Sequence, residues 1–380
     1  MASNLQESKD FKDIVDQLPS KTLLSAQHLK KYFPLRRGLM EFLNRKQPPQ
    51  VKAVDDISLN IGFGEVFGLV GETGCGKTTA GKVLIRLYDP TSGIVIFKPR
   101  KEVMEELQRE NQGSLSEYKG YMDIAAVPSR HFRPIRKEMQ MVFQDPYGSL
   151  DPRFRVRDIL EEALIIHEVG DTKEERINVV LKALEDVRLT PPEEFMDRFP
   201  HMLSGGQRQR ISLARALILR SRFIVADEPV SMIDVSLRAE LLQLMMSLKK
   251  KYDLTYVFIT HDVTVAKNFC NRIGVMYLGR VVEVALSNEL VNNPLHPYTR
   301  GLVAAIPEPD PSNRLGFRKI LIKGEVPSAI AIPKGCRFHP RCIERDQHLD
   351  IKDDYCPVKD PPSIEVVPGH YVACWIYGRQ

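Results

Sequence analysis

Gly71-Glu72-Thr73-Gly74-Cys75-Gly76-Lys77-Thr78 reads as Gly, four residues, then Gly-Lys-Thr, and its flanks decide what that string is. Val66-Phe67-Gly68-Leu69-Val70 ahead of it is an apolar run of strand length. The segment from Lys77 to Leu87 behind it carries Val83, Leu84 and Leu87 at helical spacing. A strand that turns tightly into a helix gathers unpaired backbone N–H groups and the positive end of the helix dipole at one spot. The glycines let the main chain curl around a phosphate chain without Cβ clashes. The string therefore implies a nucleoside-triphosphate site. Its backbone, through Thr79, would cradle the phosphates, Lys77 would reach the β- and γ-phosphates, and the Thr78 hydroxyl would ligate Mg²⁺. The bland alternative, a glycine-rich turn without a ligand, leaves the strand–helix context unexplained.

Bulk properties narrow the rest. The chain has 380 residues, 43% of them hydrophobic, enough for one large core and a smaller unit. Its 54 basic and 49 acidic residues give a net charge of +5 with both signs well mixed. No broad basic footprint results, so nucleic acid is not expected as a partner. No run approaches eighteen apolar residues, and the N-terminal MASNLQESKDFKDIVDQ lacks an apolar signal region. A cytoplasmic protein that meets a membrane only through a partner is expected. Of the six cysteines, Cys336, Cys342, Cys356 and Cys374 crowd the C-terminal end. A reducing compartment disfavours disulfides, so four clustered thiols raise the question of metal.

Along the chain, residues 1–20 read as a mobile tail. Strand-like alternation over Thr22 to Phe33 and Val51 to Ile61 predicts an antiparallel flap around a basic, proline-containing loop, Pro34 to Gln50. Gly93 to Phe97 is a further short strand. The polar segment 98–133, with its charged stretch KEVMEELQREN, reads as a surface insertion with few apolar anchors. Met139 to Phe143 is a buried strand ending at Gln144. Helical patterns over Val156 to Val169, Lys173 to Leu189 and from Ser204 onward predict a helical subdomain across about 145–220. Arg222 to Ala226 and Leu254 to Thr260 resume the strands, with a helix over Leu237 to Lys251 between them. Ile273 to Val284 reads as a hairpin turning at Leu278-Gly279-Arg280. Such alternation indicates an α/β fold, a parallel sheet covered on both faces. Prolines crowd in beyond Pro294, which places a boundary near residue 300. The expected domains are 21–300 and a small Cys-containing C-terminal domain, 301–380.

Two further constellations carry chemistry. Phe223 to Ala226 runs into Asp227-Glu228, two acids at a strand's C-terminal end. Asp227 there can hold the Mg²⁺ water shell, and Glu228 can polarise an attacking water. The bland reading, an acidic strand cap, weakens downstream of a phosphate loop. In Leu203-Ser204-Gly205-Gly206-Gln207, Ser204 is a good helix N-cap, and two glycines allow close approach of an anion.

In chain order, with the phosphate loop before Leu203–Gln207 and Asp227-Glu228 after it, the three strings resemble the ATPase subunits of ABC transporters. The resemblance implies a phosphate-loop ABC-type ATPase core with an antiparallel β flap and an inserted helical subdomain. It implies that Ser204, Gly205, Gly206 and Gln207 form the signature that contacts the γ-phosphate bound to an opposing subunit. Gln144 then matches the glutamine loop, which touches Mg²⁺ and faces membrane subunits. Ser231-Met232-Ile233-Asp234 matches the loop crossing the dimer interface. Its middle pair departs from the usual Ala-Leu while Asp234 is kept, so packing is expected to change more than chemistry. His261 matches the switch histidine on the γ-phosphate, although an isolated strand-end histidine is often just a polar terminus. The aromatic that stacks on adenine aligns with Phe33, with Tyr32 the alternative; either could instead belong to the flap core.

Gln144-Asp145-Pro146-Tyr147-Gly148-Ser149-Leu150-Asp151-Pro152-Arg153 and Asn293-Pro294-Leu295-His296-Pro297-Tyr298-Thr299-Arg300 narrow the resemblance to the oligopeptide/dipeptide importer ATPases. This implies peptide or oligosaccharide cargo, a second ATPase subunit in a heterodimer, two permease subunits and an extracytoplasmic solute-binding protein. The chain would sit peripherally on the cytoplasmic face of the cell membrane. Members of this group carry a [4Fe–4S] cluster near a CRF-x-x-RC string, which assigns Cys336, Cys342, Cys356 and Cys374 as its ligands. Zinc and unligated thiols are the alternatives, the wide spacing being unlike a zinc ribbon. Cys75, beside a helix N-terminus, is expected to have a lowered thiol pKa, and Cys270 to be a small buried residue. The rival functions are a soluble ABC ATPase acting in nucleic-acid or ribosome transactions and a phosphate-loop kinase. A C-terminal metal sensor could coexist with transport.

Overall fold

A computed structural model describes residues 11–35, 49–111, 115–306, 322–348, 351 and 354–378. Most of the basic loop expected between Pro34 and Gln50 lies outside the described residues. In chain order the strands are β1 (Thr22–Pro34), β2 (Gln50–Gly62), β3 (Val66–Val70), β4 (Ser92–Phe97), β5 (Glu117–Tyr118), β6 (Tyr121–Asp123) and β7 (Met139–Val142). They continue as β8 (Phe223–Asp227), β9 (Thr255–Thr260), β10 (Arg272–Tyr277), β11 (Arg280–Leu286), β12 (Ile364–Val367) and β13 (His370–Val372). The chain forms two compact units: Met1–Ser25 with Asn60–Glu65 and Ile94–Ile259, and Ala26–Leu59 with Val66–Gly93 and Thr260–Gln380.

The first unit is built on three parallel strands. β7 pairs with β8, Met139 opposite Phe223, and β8 with β9, Phe223 opposite Thr255. Both β8 and β9 are buried at every position, which is why they read as unbroken apolar runs rather than alternating ones. Phe97 packs edge-on against Phe223, ring centroids 6.5 Å apart. β8 ends on Asp227, so Asp227 and Glu228 stand at the C-terminal edge of the strands, where parallel sheets hold ligands.

Between β7 and β8 lie the helices Val156–Ile166, Lys173–Asp186, Pro192–Met196 and Gly205–Leu217, packed on one another. The short Pro192–Met196 helix is an addition, since five residues are too few to show periodicity. Segment 98–133 departs from a bare surface insertion. Its helix Lys101–Glu110 buries Val103, Met104 and Leu107, and β6 pairs with β4 through Ile96 and Asp123. Residues 11–17 correct the expected tail. They are helical, and Phe11 and Val15 are buried against Ile96 and Tyr121.

In the second unit β2 lies beside β1 as the flap. β3 runs parallel to β10, Gly68 opposite Ile273, and β10 turns into β11 as the expected hairpin. Leu278 and Gly279 carry φ of 42° and 82° in that turn, the two positive values a tight hairpin of this hand requires. Cys270 is buried as expected; a Cβ on Gly68 would stand 2.9 Å from its sulfur, so β3 needs glycine there. The boundary expected near residue 300 falls inside the helix Pro297–Ala304. β13 pairs with β11, Glu283 opposite Val372, so the C-terminal residues extend the phosphate-loop unit rather than forming a separate body.

Candidate functional site

The phosphate loop leaves β3 and enters the helix Lys77–Leu84 with Gly76 as N-cap. Gly74 and Gly76 adopt φ of 80° and 108°, and a Cβ on Gly76 would overlap the Ala53 carbonyl oxygen. No side chain caps that helix, so its first-turn N–H groups, near Thr78 and Thr79, face the loop. Lys77 is almost fully buried and folds back over the loop. Its Nζ donates to Gly71 O at 2.7 Å and to Glu72 O at 3.0 Å. An ammonium held by two carbonyls can exchange them for phosphate oxygens. Cys75 departs from expectation. It is 3% exposed, and burial pushes its thiol pKa up despite Lys77 Nζ 3.8 Å from its sulfur. Desolvation of the thiolate outweighs the nearby positive charge.

Successive residues of β1 point to opposite faces, which separates the two aromatic candidates. The Tyr32 hydroxyl donates to the Asp55 carboxylate, which Arg337 also holds. Burial first, and Asp55 second, push the Tyr32 pKa up. Phe33 meets Tyr88 edge-on at 5.5 Å. His261 follows β9 and is exposed, with Asp262 capping the next helix, Val263–Phe269, behind it.

In the other unit, Gln144 and Glu228 are brought together, Nε2 donating to Oε2 at 3.2 Å. Asp227 is buried at the end of β8. Glu228 takes φ of 45°, rare for a residue with a side chain, and its N–H donates to Ile259 O at 2.9 Å. Ser204 caps the helix Gly205–Leu217 reciprocally: its Oγ accepts from Gln207 N at 3.3 Å, and Gln207 Oε1 accepts from Ser204 N at 3.0 Å. That helix is tied to the segment after Gln144. Arg215 donates to Ser149 O at 2.7 Å, and Arg208 lies 4.0 Å from the Tyr147 ring. Asp234 is the N-cap residue of the helix Val235–Tyr252, with Met232 exposed and Ile233 beside Gly206 in a shared cavity.

Cys336, Cys342, Cys356 and Cys374 line one cavity together with His296, Phe338 and Trp375. Burial raises all four thiols, Cys336 to about 12 and Cys356 to about 11. Four thiols around one cavity match the donor set of an iron–sulfur cluster. Among the described residues, however, no group of three or more His, Cys, Asp or Glu side chains is disposed to hold a metal ion. The fit is one of donor chemistry and not of ligand geometry.

An ABC transporter family model matches residues 54–231, and a model of the oligopeptide/dipeptide transporter C-terminal region matches 282–348. The chain is 42% identical over 357 residues to the oligopeptide transport ATP-binding protein AppF of Bacillus subtilis, covering 94% of this chain and 98% of that one. The chain belongs to the ATP-binding subunits of the oligopeptide/dipeptide ABC transporters. It is also 41% identical over 353 residues to the dipeptide transport ATP-binding protein DppF of Haemophilus influenzae, covering 93% and 96%. Among solved structures it is similar to the ATP-binding cassette MJ0796 in a dimeric post-hydrolysis state bound to ADP and Pi. That likeness has a TM-score of 0.55 at 25% identity and covers 70% of this chain and 99% of that one. The ABC cassette fold follows, and the soluble nucleic-acid or ribosome ATPase gains no support from these relatives. The C-terminal model ends before Cys356 and Cys374. No helix among the described residues is long and apolar enough to cross a membrane.

Sequence reasoning missed three residues that touch this ABC cassette's nucleotide loop or its neighbours. Tyr298, Arg337 and Arg341 all lie in strings quoted above only as marks of resemblance. Their partners, Glu72 and Asp55, sit more than 200 positions earlier, so no local pattern signals the contacts.

Proposed function

We propose that this ABC ATPase subunit powers import of oligopeptides or dipeptides. The observation that carries the cargo class is the likeness, over almost the whole chain, to AppF and DppF, oligopeptide and dipeptide transport ATP-binding proteins. Two ATPase subunits, of different sequence, close on two ATP molecules. The loop at Gln144 carries that closure to two permease subunits on the cytoplasmic face of the membrane, and an extracytoplasmic binding protein delivers cargo.

The roles follow residue by residue. Gly71, Gly74 and Gly76 with Glu72, Thr73, Cys75, Lys77, Thr78 and Thr79 hold the phosphates. Thr78, Gln144 and Asp227 hold Mg²⁺, whose charge offsets that of the phosphates. Glu228 activates water, supported by its bond to Gln144. His261 contacts the γ-phosphate, Ser204 to Gln207 the opposing subunit's γ-phosphate, and Asp234 the dimer interface. Phe33 stacks on adenine, supported by the tether of the Tyr32 hydroxyl to Asp55.

Cys336, Cys342, Cys356 and Cys374 are the proposed ligands of the [4Fe–4S] cluster, which when bound would cross-link this segment. Their common cavity supports the assignment. Iron and labile sulfide in anaerobically purified brown protein are expected; colourless, iron-free protein would overturn it. The transport reading is tested by purification from membranes, with identification of the attached subunits and assay of peptide uptake. Turnover that stays first-order in enzyme under extreme dilution, indifferent to damage at Ser204, would sink the paired mechanism.

A further inference from the structure

Apart from the thiols of Cys336 and Cys342, the strings Asn293–Arg300 and Cys336–Cys342 have no part in the roles above, yet both reach Glu72, the second residue of the phosphate loop. Tyr298 Oη accepts the Glu72 N–H at 2.9 Å. Arg341 forms a two-pronged pair with the carboxylate, Nη1 to Oε2 at 2.7 Å and Nη2 to Oε1 at 3.1 Å. One loop residue is thus gripped by main chain and side chain together.

The grip is stiff. Tyr298 is fully buried, its ring 4.7 Å from Tyr277 and 5.4 Å from Phe338, and its N–H donates to His296 Nδ1 at 3.0 Å. The Arg341 guanidinium lies 5.8 Å from the Tyr277 ring, with only 8% of its side chain exposed. Arg337, four residues earlier, holds Asp55 and the Leu278 carbonyl on the flap side.

Two physical consequences follow. A loop with three glycines loses much freedom when it closes on phosphate, and a residue already fixed within it lowers that loss. Glu72 would also place a negative charge beside a triphosphate, and the two-pronged arginine neutralises it. We propose that Arg341 and Tyr298 are positioning residues for ATP, holding the phosphate loop in its binding form and cancelling the charge of Glu72. The proposal rests on the ATP site assigned above.

The test is a double-mutant cycle in the full-length protein, read by equilibrium binding of Mg-ATP and Mg-ADP. R341Q is expected to weaken ATP binding about tenfold, and ADP less because ADP carries less charge, with KM raised and kcat held within about twofold. R341K should recover part of the loss. The pair E72Q/R341Q should recover most of it, because the uncancelled charge is gone; a purely structural arginine would give no such rescue. Y298F keeps the ring and removes only the oxygen that accepts the Glu72 N–H, and about a threefold loss is expected. Wild-type affinity in R341Q, or a double variant as weak as R341Q, overturns the proposal. Absence of ATP binding in the unmodified protein would instead bring down the nucleotide reading, and the proposal with it.

Discussion

The Gln144 amide and the Glu228 carboxylate are hydrogen-bonded at 3.2 Å, joining the second residue after β7 to the residue after β8. Glu228 is held there by a left-handed backbone, φ 45°, and by Ser231, whose Oγ donates to its carbonyl oxygen at 2.9 Å. Strain of this kind persists where its surroundings over-determine it. A carboxylate so placed can take a proton from water; an amide cannot. Glu228→Gln is expected to lower ATP turnover by about 10²–10⁴ while ATP stays bound. Turnover assays and retained-nucleotide analysis check this, and undiminished turnover would remove Glu228 from the role.

Ser204 has a local task as well as the proposed one across the dimer. Replacing it with Ala removes the cap on the helix Gly205–Leu217 and should cost about 1 kcal/mol of stability. Ser204→Asn keeps a capping oxygen, so melting should shift little. ATPase activity should still fall strongly, because the longer amide cannot reproduce a hydroxyl against phosphate. Full activity in Ser204→Asn would confine Ser204 to its cap.

How far the sequence spoke depends on the range of the contacts. β3, β8 and β9 were legible as unbroken apolar runs because both their faces are buried. The Leu278-Gly279 turn announced itself through Gly279, which tolerates the positive φ it adopts. The helix over 11–17 did not, since Phe11 and Val15 lie in a polar stretch and are buried in a cluster with the distant Ile96 and Tyr121. The phosphate loop was readable from its own glycines, whereas Arg341 on Glu72 and Arg337 on Asp55 join positions 269 and 282 residues apart. Cys75 shows the same limit: the helix N-terminus beside it is visible in sequence, and the burial that overrides it is not.

That burial sets the pH behaviour of Cys75. A thiol held protonated above its ordinary value of about 8.5 reacts slowly at neutral pH, because the thiolate is the nucleophile. Alkylation of Cys75 should stay slow at pH 7, climb only above the range of a free thiol, and slow further with bound nucleotide. The folded state holds this proton more tightly than the unfolded chain. Its contribution to stability is therefore complete below the ordinary thiol pKa and is lost as pH rises. Mass spectrometry of labelled protein across pH 7 to 10, with and without ATP, checks it. Labelling at neutral pH as fast as a free thiol would contradict the burial.

His296 sets the acid limit. The residue is 1% exposed, and burial drives its pKa down to about 4, with Arg300 adding to the shift and Glu283 opposing it. Its Nδ1 must stay unprotonated to accept the Tyr298 N–H and cap the helix Pro297–Ala304. In the unfolded chain the imidazole takes a proton near pH 6.5. The stability contribution of neutral His296 is thus complete above pH 6.5 and is lost as pH falls toward 4. From the shift it is on the order of 3 kcal/mol. Because the capped helix carries Tyr298, acidification should also loosen the hold on Glu72. His296→Asn supplies a capping oxygen that does not titrate, at the expense of the ring's packing. Its denaturation midpoint should be lower at pH 7.5 but change less between pH 7.5 and 5 than that of the unmodified protein. Equal slopes in the two proteins would show that the proton goes elsewhere.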